Sequence, residues 1–490
     1  MKKIKLLLII AIAFIPLINS NPVYAQKDCP ITIKLNGDKI CFDVPPILVN
    51  GKVLIPLEQM AGALGMDVIT NTKTKEITLA RENCQINIKL GSEKAKVNGK
   101  NVQMNVCPEY LNNCLLIPVD FIADCIKAKL VWDKECNVIF VNEYEPLYPV
   151  YRLNNGKVLE TAYIDVNGKI TIPYMKGVGG EFHDGLATLY TYRYSSEVLD
   201  KARLYGYINT KGQMVIPQKY RYANQFSEGL AVVSKGLYGS SAMIINKKGE
   251  RIPTKVKMFT NQFYYQRFME GFVLFFDDNL RIGYLNKKGN VVIKPAYKSA
   301  NPFAEGLALV CDSIGNWIFI DKKGLPLTSS EYDISSLANC YSEGLTAAKK
   351  DDKWGYINKN NKVAIQFTFD SAGVFSEGMA YVKKDGKYGY INTEGEIAIE
   401  PEYEYADDFS EGRARFFQDV GKNGSIAGYL DATGKIALEP VYTYAFPFRN
   451  GIAKAGVVIG GKKQDCYINK AGEIIFKADP YPSHENDYLN

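Results

Sequence analysis

Histidine is almost missing from this chain: two residues, His183 and His484, in 490. A Ser-His-Asp triad, a Cys-His pair or a histidine-based metal centre would have to be built on one of them. His183 stands in Phe182-His183-Asp184-Gly185, at a place where sister segments carry serine, and reads as a turn residue. His484 lies in a polar tail beyond Pro482. The chain also lacks a P-loop, a G-x-S-x-G elbow and any C-x-x-C pair, which removes the usual signatures of phosphate, acyl-transfer and zinc chemistry. No apolar run of 18 or more residues follows the first 17, so no later segment is expected to span a bilayer. Lysine and arginine are dispersed and the formal net charge is only +6, which argues against nucleic acid as a partner. No catalytic, cofactor-binding or metal-ligating residue is assigned.

The N-terminus has a clear pattern. Met1-Lys2-Lys3-Ile4-Lys5 is followed by an uncharged stretch from Leu6 to Leu17 and by Val23-Tyr24-Ala25. A basic start, a short apolar stretch and small residues before a cleavage point predict a secretory signal peptide over residues 1–25. The apolar stretch falls short of the roughly 20 residues a spanning helix needs. The expectation is therefore a secreted or cell-surface bacterial protein, with no membrane span after cleavage. Seven of the ten cysteines fall between Cys29 and Cys136. In an oxidising compartment that cluster reads as a disulfide-stapled small domain, of undeducible connectivity, rather than a zinc site.

Between Ile31 and Val141 the sequence repeats at an offset of 62: Asn36-Gly37 returns as Asn98-Gly99, Pro46 as Pro108, Ile55-Pro56 as Ile117-Pro118 and Ile77 as Ile139. Each copy has a strand, an Asn-Gly turn, a second strand running to proline, a short helix and a β-branched closing strand. The helices are predicted at Leu57–Leu64, stopped by Gly65, and at Val119–Ile126; the closing strands at Glu76–Leu79 and Val138–Val141. Together residues 26–145 should form one duplicated α+β domain. Val44-Pro45-Pro46-Ile47-Leu48-Val49-Asn50-Gly51 running into Ile55-Pro56-Leu57, with Ala63-Leu64-Gly65 and later Leu130-Val131-Trp132-Asp133, resembles the copper amine oxidase-like N-terminal domain. The resemblance implies a stalk-like module common in secreted proteins of Gram-positive bacteria. It does not imply copper, which in those oxidases sits in a separate catalytic domain. Residues 146–160 read as a linker.

A shorter period occupies residues 161–477. Gly-Tyr-Ile-Asn-x-x-Gly appears at Gly206–Gly212 and Gly389–Gly395, with variants at Gly283, Trp317, Gly355 and Gly428 and degenerate copies at Tyr163, Ile244 and Tyr467. A second marker, Asp, Glu or Asn before glycine, falls at Gly185, Gly229, Gly271, Gly306, Gly344, Gly378, Gly412 and Gly451. Each unit reads as three strands: the Gly-Tyr-Ile-Asn strand; a returning strand such as Ile397–Ile399 that stops at Pro401; and, after a connection such as Tyr403 to Phe409, a strand such as Arg413 to Phe417. Such a unit cannot bury a face alone, so the units must stack. Lys353-Trp354-Gly355-Tyr356-Ile357-Asn358 resembles the WG-repeat family, most other copies replacing the tryptophan by a ring such as Tyr205 or Tyr388. The expected fold is an all-β array of antiparallel hairpins, with an open solenoid slightly favoured over propeller-like closure because the repeats differ in length. Residues 478–490 form a polar tail.

Two features bear on function. Glu228, Glu270, Glu305, Glu343, Glu377 and Glu411 recur once per repeat, so they are expected to accept backbone N–H bonds at turns, although a pair of carboxylates could serve glycoside hydrolysis. Tyrosine is abundant, with 33 residues. Those in Gly-Tyr-Ile-Asn should be core; Tyr403, Tyr405, Tyr442 and Tyr444, in connections, are candidates either for packing under loops or for lining a surface. The resulting expectation is a non-catalytic secreted or envelope protein binding a glycan, peptide or protein. The alternatives are a cell-wall polymer hydrolase with a carboxylate pair and a purely structural envelope component.

Overall fold

The computed structural model describes residues 30–478 except 112, 155–157, 196–197, 237–240, 259–265, 328–331, 335–339 and 420–424. The predicted signal peptide, Cys29, His484 and nearly all of the polar tail lie outside the described residues.

The N-terminal domain follows the duplication. Lys52–Pro56 and Cys114–Pro118, equivalent strands of the two copies, pair antiparallel, Ile117 facing Ile55. Each ends at the proline that opens a helix: α1 (Leu57–Ala63) and α2 (Val119–Ile126). Proline suits a helix entry because the N–H it lacks would be unpaired there anyway. Gly65, at φ 68°, ends α1 as expected. The predicted closing strands run to Arg81 and Asn142. The first strand, Thr32–Leu35, pairs in parallel with the last, Val138–Asn142. Its Ile33 and Leu35 enter the domain core with Ile55, Leu57, Ile117, Phe121 and Ile139, whereas Thr32 and Lys34 on its other face are buried too. Lys34 is covered by the repeat array, its ammonium lying at Ser410 and Glu411. The nine described cysteines are all unpaired, so the predicted disulfide staples are not seen among the described residues, where the apolar cluster holds the domain. Burial pushes the thiols of Cys41, Cys125 and Cys136 up to about 12, which leaves them protonated and poorly nucleophilic.

Among the described residues the array forms nine successive antiparallel sheets, 148–176, 178–220, 222–252, 272–297, 299–321, 345–369, 371–403, 405–442 and 444–477, numbered sheets 1 to 9 here. Two sequence-based boundaries shift. The presumed linker contains the strand Tyr148–Asn154, which pairs with Val158–Ile164 in sheet 1. The presumed connection Tyr403 to Phe409 is largely the strand Tyr405–Ser410 that opens sheet 8. The returning strand also passes through its proline, as Ile397–Tyr403. Pro401 is tolerated because this strand is the edge of its sheet, where a missing N–H leaves no ladder bond unmade. The bend there brings the returning backbone onto Gly389: a Cβ on that glycine would lie 2.4 Å from the Ile399 carbonyl oxygen and 2.7 Å from the Pro401 nitrogen. That close approach is why the repeat signature needs glycine before its tyrosine.

Six of the nine sheets pack on the next through the same tyrosine contacts, sheets 3 and 5 carrying Ile244 and Phe319 at that place instead. The signature tyrosines are fully buried, Tyr163, Tyr207, Tyr284, Tyr356, Tyr390 and Tyr429 among them. Each donates its hydroxyl to a carbonyl 17 residues onward, in the following sheet: Tyr207 to Asn224, Tyr356 to Gly373, Tyr390 to Asp407. Each ring also meets the phenylalanine that precedes the next marker, as Tyr390 meets Phe409 at 4.9 Å. In sheet 9 the pattern continues across the chain. Tyr467 donates to the Pro149 carbonyl at 2.9 Å and its ring lies 5.7 Å from Tyr148. Tyr148, Val150, Ala162 and Ile164 of sheet 1 share one core with Ile452 and Tyr467 of sheet 9. The array therefore closes into a ring, which corrects the slight preference for an open solenoid. Repeat lengths vary in the segments between strands, such as 253–271, and leave the sheet-to-sheet contacts unchanged.

Candidate functional site

The marker dipeptides sit at two-residue turns. Ser227 and Leu230 exchange both backbone hydrogen bonds across Glu228-Gly229, whose φ values are 54° and 84°; two successive positive φ values define this turn, and glycine takes the second at no steric cost. The acid at the first position does not satisfy its own turn, as the sequence suggested. It reaches the next one. Asp184 accepts the Gly229 N–H, Glu228 that of Gly271, Glu270 that of Gly306 and Glu343 that of Gly378. Glu305 takes the N–H groups of Glu343 and Gly344, Glu377 those of Glu411 and Gly412, and Glu411 those of Asn450 and Gly451. Seven carboxylates thus link eight turns head to tail, from Asp184-Gly185 to Asn450-Gly451. Charged acceptors for backbone N–H groups are the stronger kind of hydrogen bond.

Concentrating seven acids around one ring requires cations, and two sources provide them. The first is the array's own Asn-x-x-Gly turn, whose second residue is often lysine: Lys287 lies 3.9 Å from Glu228, Lys322 3.1 Å from Glu270 and Lys359 3.1 Å from Glu305. At the next two turns that position holds Thr393 and Ala432. There the N-terminal domain intervenes. Lys39 contacts Glu343 at 3.5 Å, and Lys34 contacts Glu411 at 3.4 Å and Glu377 at 3.9 Å. The lysine after Asn469, Lys470, pairs instead with Asp133 of that domain at 2.9 Å. The hairpin containing Lys34 and Lys39 thus plugs the marker-bearing face of the ring, and the domain is docked on the array rather than extended from it as a stalk.

The electrostatics follow burial. Burial pushes the carboxyls of Asp184, Glu228, Glu270 and Glu343 up from the ordinary range, against the pull of Lys247, Lys287, Lys322 and Lys39 respectively. Burial works against the Lys39 ammonium, yet Glu343 and its neighbours outweigh it and raise the group. His183, buried at the end of its strand, places Nδ1 2.8 Å from Asp38 of the N-terminal domain. Arg449 pairs with the same Asp38 and with Glu181. Burial acts to raise Asp38, but the His183 hydrogen bond and the charges of Arg449 and Arg267 hold it lower. His183 is thus a docking residue as well as a turn neighbour, a role invisible in sequence because its partner lies 145 residues away. Lys34 and Lys39 were also missed; the signal that could have found them is the gap in the lysine series at Thr393 and Ala432.

The four connection tyrosines divide. Tyr442 is core, in contact with Tyr429. Tyr403 is half-buried and donates to the Gly434 carbonyl. Tyr405 is 47% exposed and belongs to a run of rings, Tyr381 to Tyr388 at 6.0 Å, Tyr388 to Tyr405 at 5.6 Å and Tyr405 to Phe417 at 5.3 Å, with the Lys383 ammonium over Tyr388. Tyr444 occupies the corresponding place in sheet 9 beside Phe446, itself 52% exposed.

These features define a class: a closed ring of small antiparallel sheets, capped on one face by a duplicated α+β domain that supplies part of its charge balance. Residues 34–141 match the copper amine oxidase N-terminal domain, and residues 205–236, 282–313, 354–388, 388–422 and 428–462 match the WG containing repeat. The chain is therefore a copper amine oxidase N-terminal domain followed by WG repeats, in the order the sequence indicated, and neither family is enzymatic. No curated protein matches it in sequence. Similar solved structures include a eukaryotic initiation factor, 9% identical over 69% of this chain and 96% of that one with a TM-score of 0.48. BamB from Moraxella catarrhalis is 12% identical over 62% and 91%, with a TM-score of 0.32. AztD from Citrobacter koseri is 10% identical over 66% and 91%, with a TM-score of 0.33.

Proposed function

We propose that this is a non-catalytic, exported binding or scaffold protein that engages an extracellular glycan, peptide or protein through the outer surface of its ring. The observation that carries this reading is the partly exposed ring run Tyr381, Tyr388, Tyr405 and Phe417 across sheets 7 and 8, repeated in sheet 9 by Tyr444 and Phe446. Aromatic side chains offer large contact area at small entropic cost, and sugar rings or peptide side chains stack on their faces. The recurring acids lend the hydrolase alternative no support, since each accepts a backbone N–H from a neighbouring turn. Calorimetric titration of the full chain with soluble cell-wall glycan fragments and with peptides derived from them tests the proposal. Tyr405→Ala and Phe446→Ala should each weaken the bound probe about tenfold, which corresponds to about 1.4 kcal/mol. Absence of binding to every probe, or binding untouched by both substitutions, would refute it.

A further inference from the structure

Two cysteines of the N-terminal domain lie against each other although neither is bonded. Cys84 opens the strand Cys84–Lys89, and Cys125 stands in the last turn of α2, 41 residues further on. Both pack in the apolar cluster of the domain, Cys84 with 8% of its surface exposed and Cys125 partly buried. The Cys84 sulfur lies 3.6 Å from the Cys125 carbonyl oxygen. A carbonyl oxygen is about 2.4 Å from its own Cα, so this sulfur is within about 6 Å of the Cys125 Cα. The usual Cα spacing of a disulfide, about 4.4–6.8 Å, accommodates that separation. The two thiols also sense each other: burial pushes the Cys125 thiol up to about 12, and the charge of Cys84 adds to the push. Burial raises Cys84 as well. As a hydrogen bond alone the contact is a weak one, because a thiol is a poor donor.

We infer that Cys84 and Cys125 form a disulfide that ties α2 to the strand Cys84–Lys89, made while the chain folds and then buried. The oxidant is itself a disulfide, of the glutathione or thiol–disulfide oxidoreductase class. The thiolate of one cysteine attacks a sulfur of the oxidant, giving a mixed disulfide and releasing one oxidant thiolate; the thiolate of the other cysteine attacks the protein sulfur, the new S–S bond forms and the second oxidant thiolate leaves. Two electrons pass from the cysteine pair to the oxidant, and the two thiol protons end on its sulfurs. Burial sets the timing. In the folded domain both thiols are protonated and shielded, so the attack belongs to the exposed thiols of the unfolded chain, and burial afterwards protects the product. Neither the aromatic run nor export enters this chemistry, so its failure would leave the proposed function standing.

In the experiment, the full chain is unfolded under reductant and refolded in a mixture of reduced and oxidised glutathione. Free thiols are then blocked with iodoacetamide and the protein is digested without reduction. Mass spectrometry should find the peptides of Cys84 and Cys125 joined to each other as the main partner of each. Protein refolded in glutathione should melt at least about 5 °C above the same protein refolded in a phosphine, as expected for closing a loop of this length. The difference should be smaller in Cys125→Ala, which has no such bond to lose. The inference is overturned if both cysteines are recovered as alkylated thiols, if either is joined mainly to a third cysteine, or if the difference in melting is the same in the parent and in Cys125→Ala.

Discussion

Single residues in this ring carry constraints that their exposure alone would not reveal. Gly389 is small because a strand crosses directly above it, so Gly389→Ala must displace the Ile399–Pro401 backbone. We expect a loss of about 2–3 kcal/mol, at the level of an overpacked core site, in chemical denaturation. Tyr390→Phe removes a hydroxyl and leaves the Asp407 carbonyl unmet, at a cost of about 1–3 kcal/mol by the same measurement. Asp408 has the opposite character. Burial raises its carboxyl to about 6, with only Lys39 drawing it down, and its Oδ1 has no hydrogen-bond partner. The folded protein therefore holds this proton more tightly than the unfolded chain does, where the carboxyl titrates near 3.8. The contribution to stability is full below about pH 4 and is lost as pH rises through about 6, on the order of 1–3 kcal/mol in all. Asp408→Asn should remove this slope and leave the variant more stable than the parent at pH 7; equal slopes between pH 4 and 7 in denaturant titrations of the two proteins would contradict the assignment.

Among elements, the hairpin Thr32–Lys39 has the least ordinary task. It is a strand pair of one domain whose lysines neutralise acids of another, at the turns where the array has threonine or alanine. Glu343 is nearly buried, with 7% of its side chain exposed, so removing its cation leaves a charge with poor compensation. Lys39→Ala should destabilise the docked state by about 1–3 kcal/mol, less than a fully buried pair because Lys39 is itself 31% exposed. Introducing Thr393→Lys into that variant places a lysine at the position Lys287, Lys322 and Lys359 occupy in their own repeats, and should recover half or more of the loss. A double-mutant cycle read by denaturation measures the coupling; additive effects would show that the turn lysine and the plug lysine do not serve the same carboxylate.

For the whole molecule, closure changes how the repeats are expected to unfold. An open array is nearly one-dimensional, its stability a sum of neighbour terms, and it can fray from its ends. Here sheet 1 and sheet 9 cover each other through Tyr148, Val150, Ile452 and Tyr467, and neither is a free end. Unfolding followed by fluorescence and by far-ultraviolet circular dichroism should give coincident transitions. Val150→Asp, which puts an unpaired charge in the closing interface, should separate them or lower cooperativity more than a matched substitution in an exposed strand position. Coincident curves unchanged by Val150→Asp would mean that the closing contact contributes little.

Local chemistry made much of this molecule legible in advance. The two helices, the Asn-Gly turns, the offset of 62 and the alternation of the repeat strands are set by residues within a few positions of one another: a proline that opens a helix, a glycine that accepts positive φ, an Asn whose side chain closes its own turn. Asn392, for example, accepts from the Glu394 and Glu396 N–H groups, an interaction that any chain with this spacing can make. The strand hidden in residues 146–160 was not legible, because Tyr148–Asn154 is recognisable only beside its partner. Closure was not legible either, since it depends on small angles between sheets summed around nine interfaces, and it brings Pro149 to Tyr467 across 318 residues. The same is true of Lys34 and Lys39, ordinary surface cations by composition. Sequence settled the turns, the helix entries and most of the repeat strands, because those interactions are local; the tertiary structure alone decided which charges face one another, because burial and distance do not exist until the ring is shut and the N-terminal domain is seated on it.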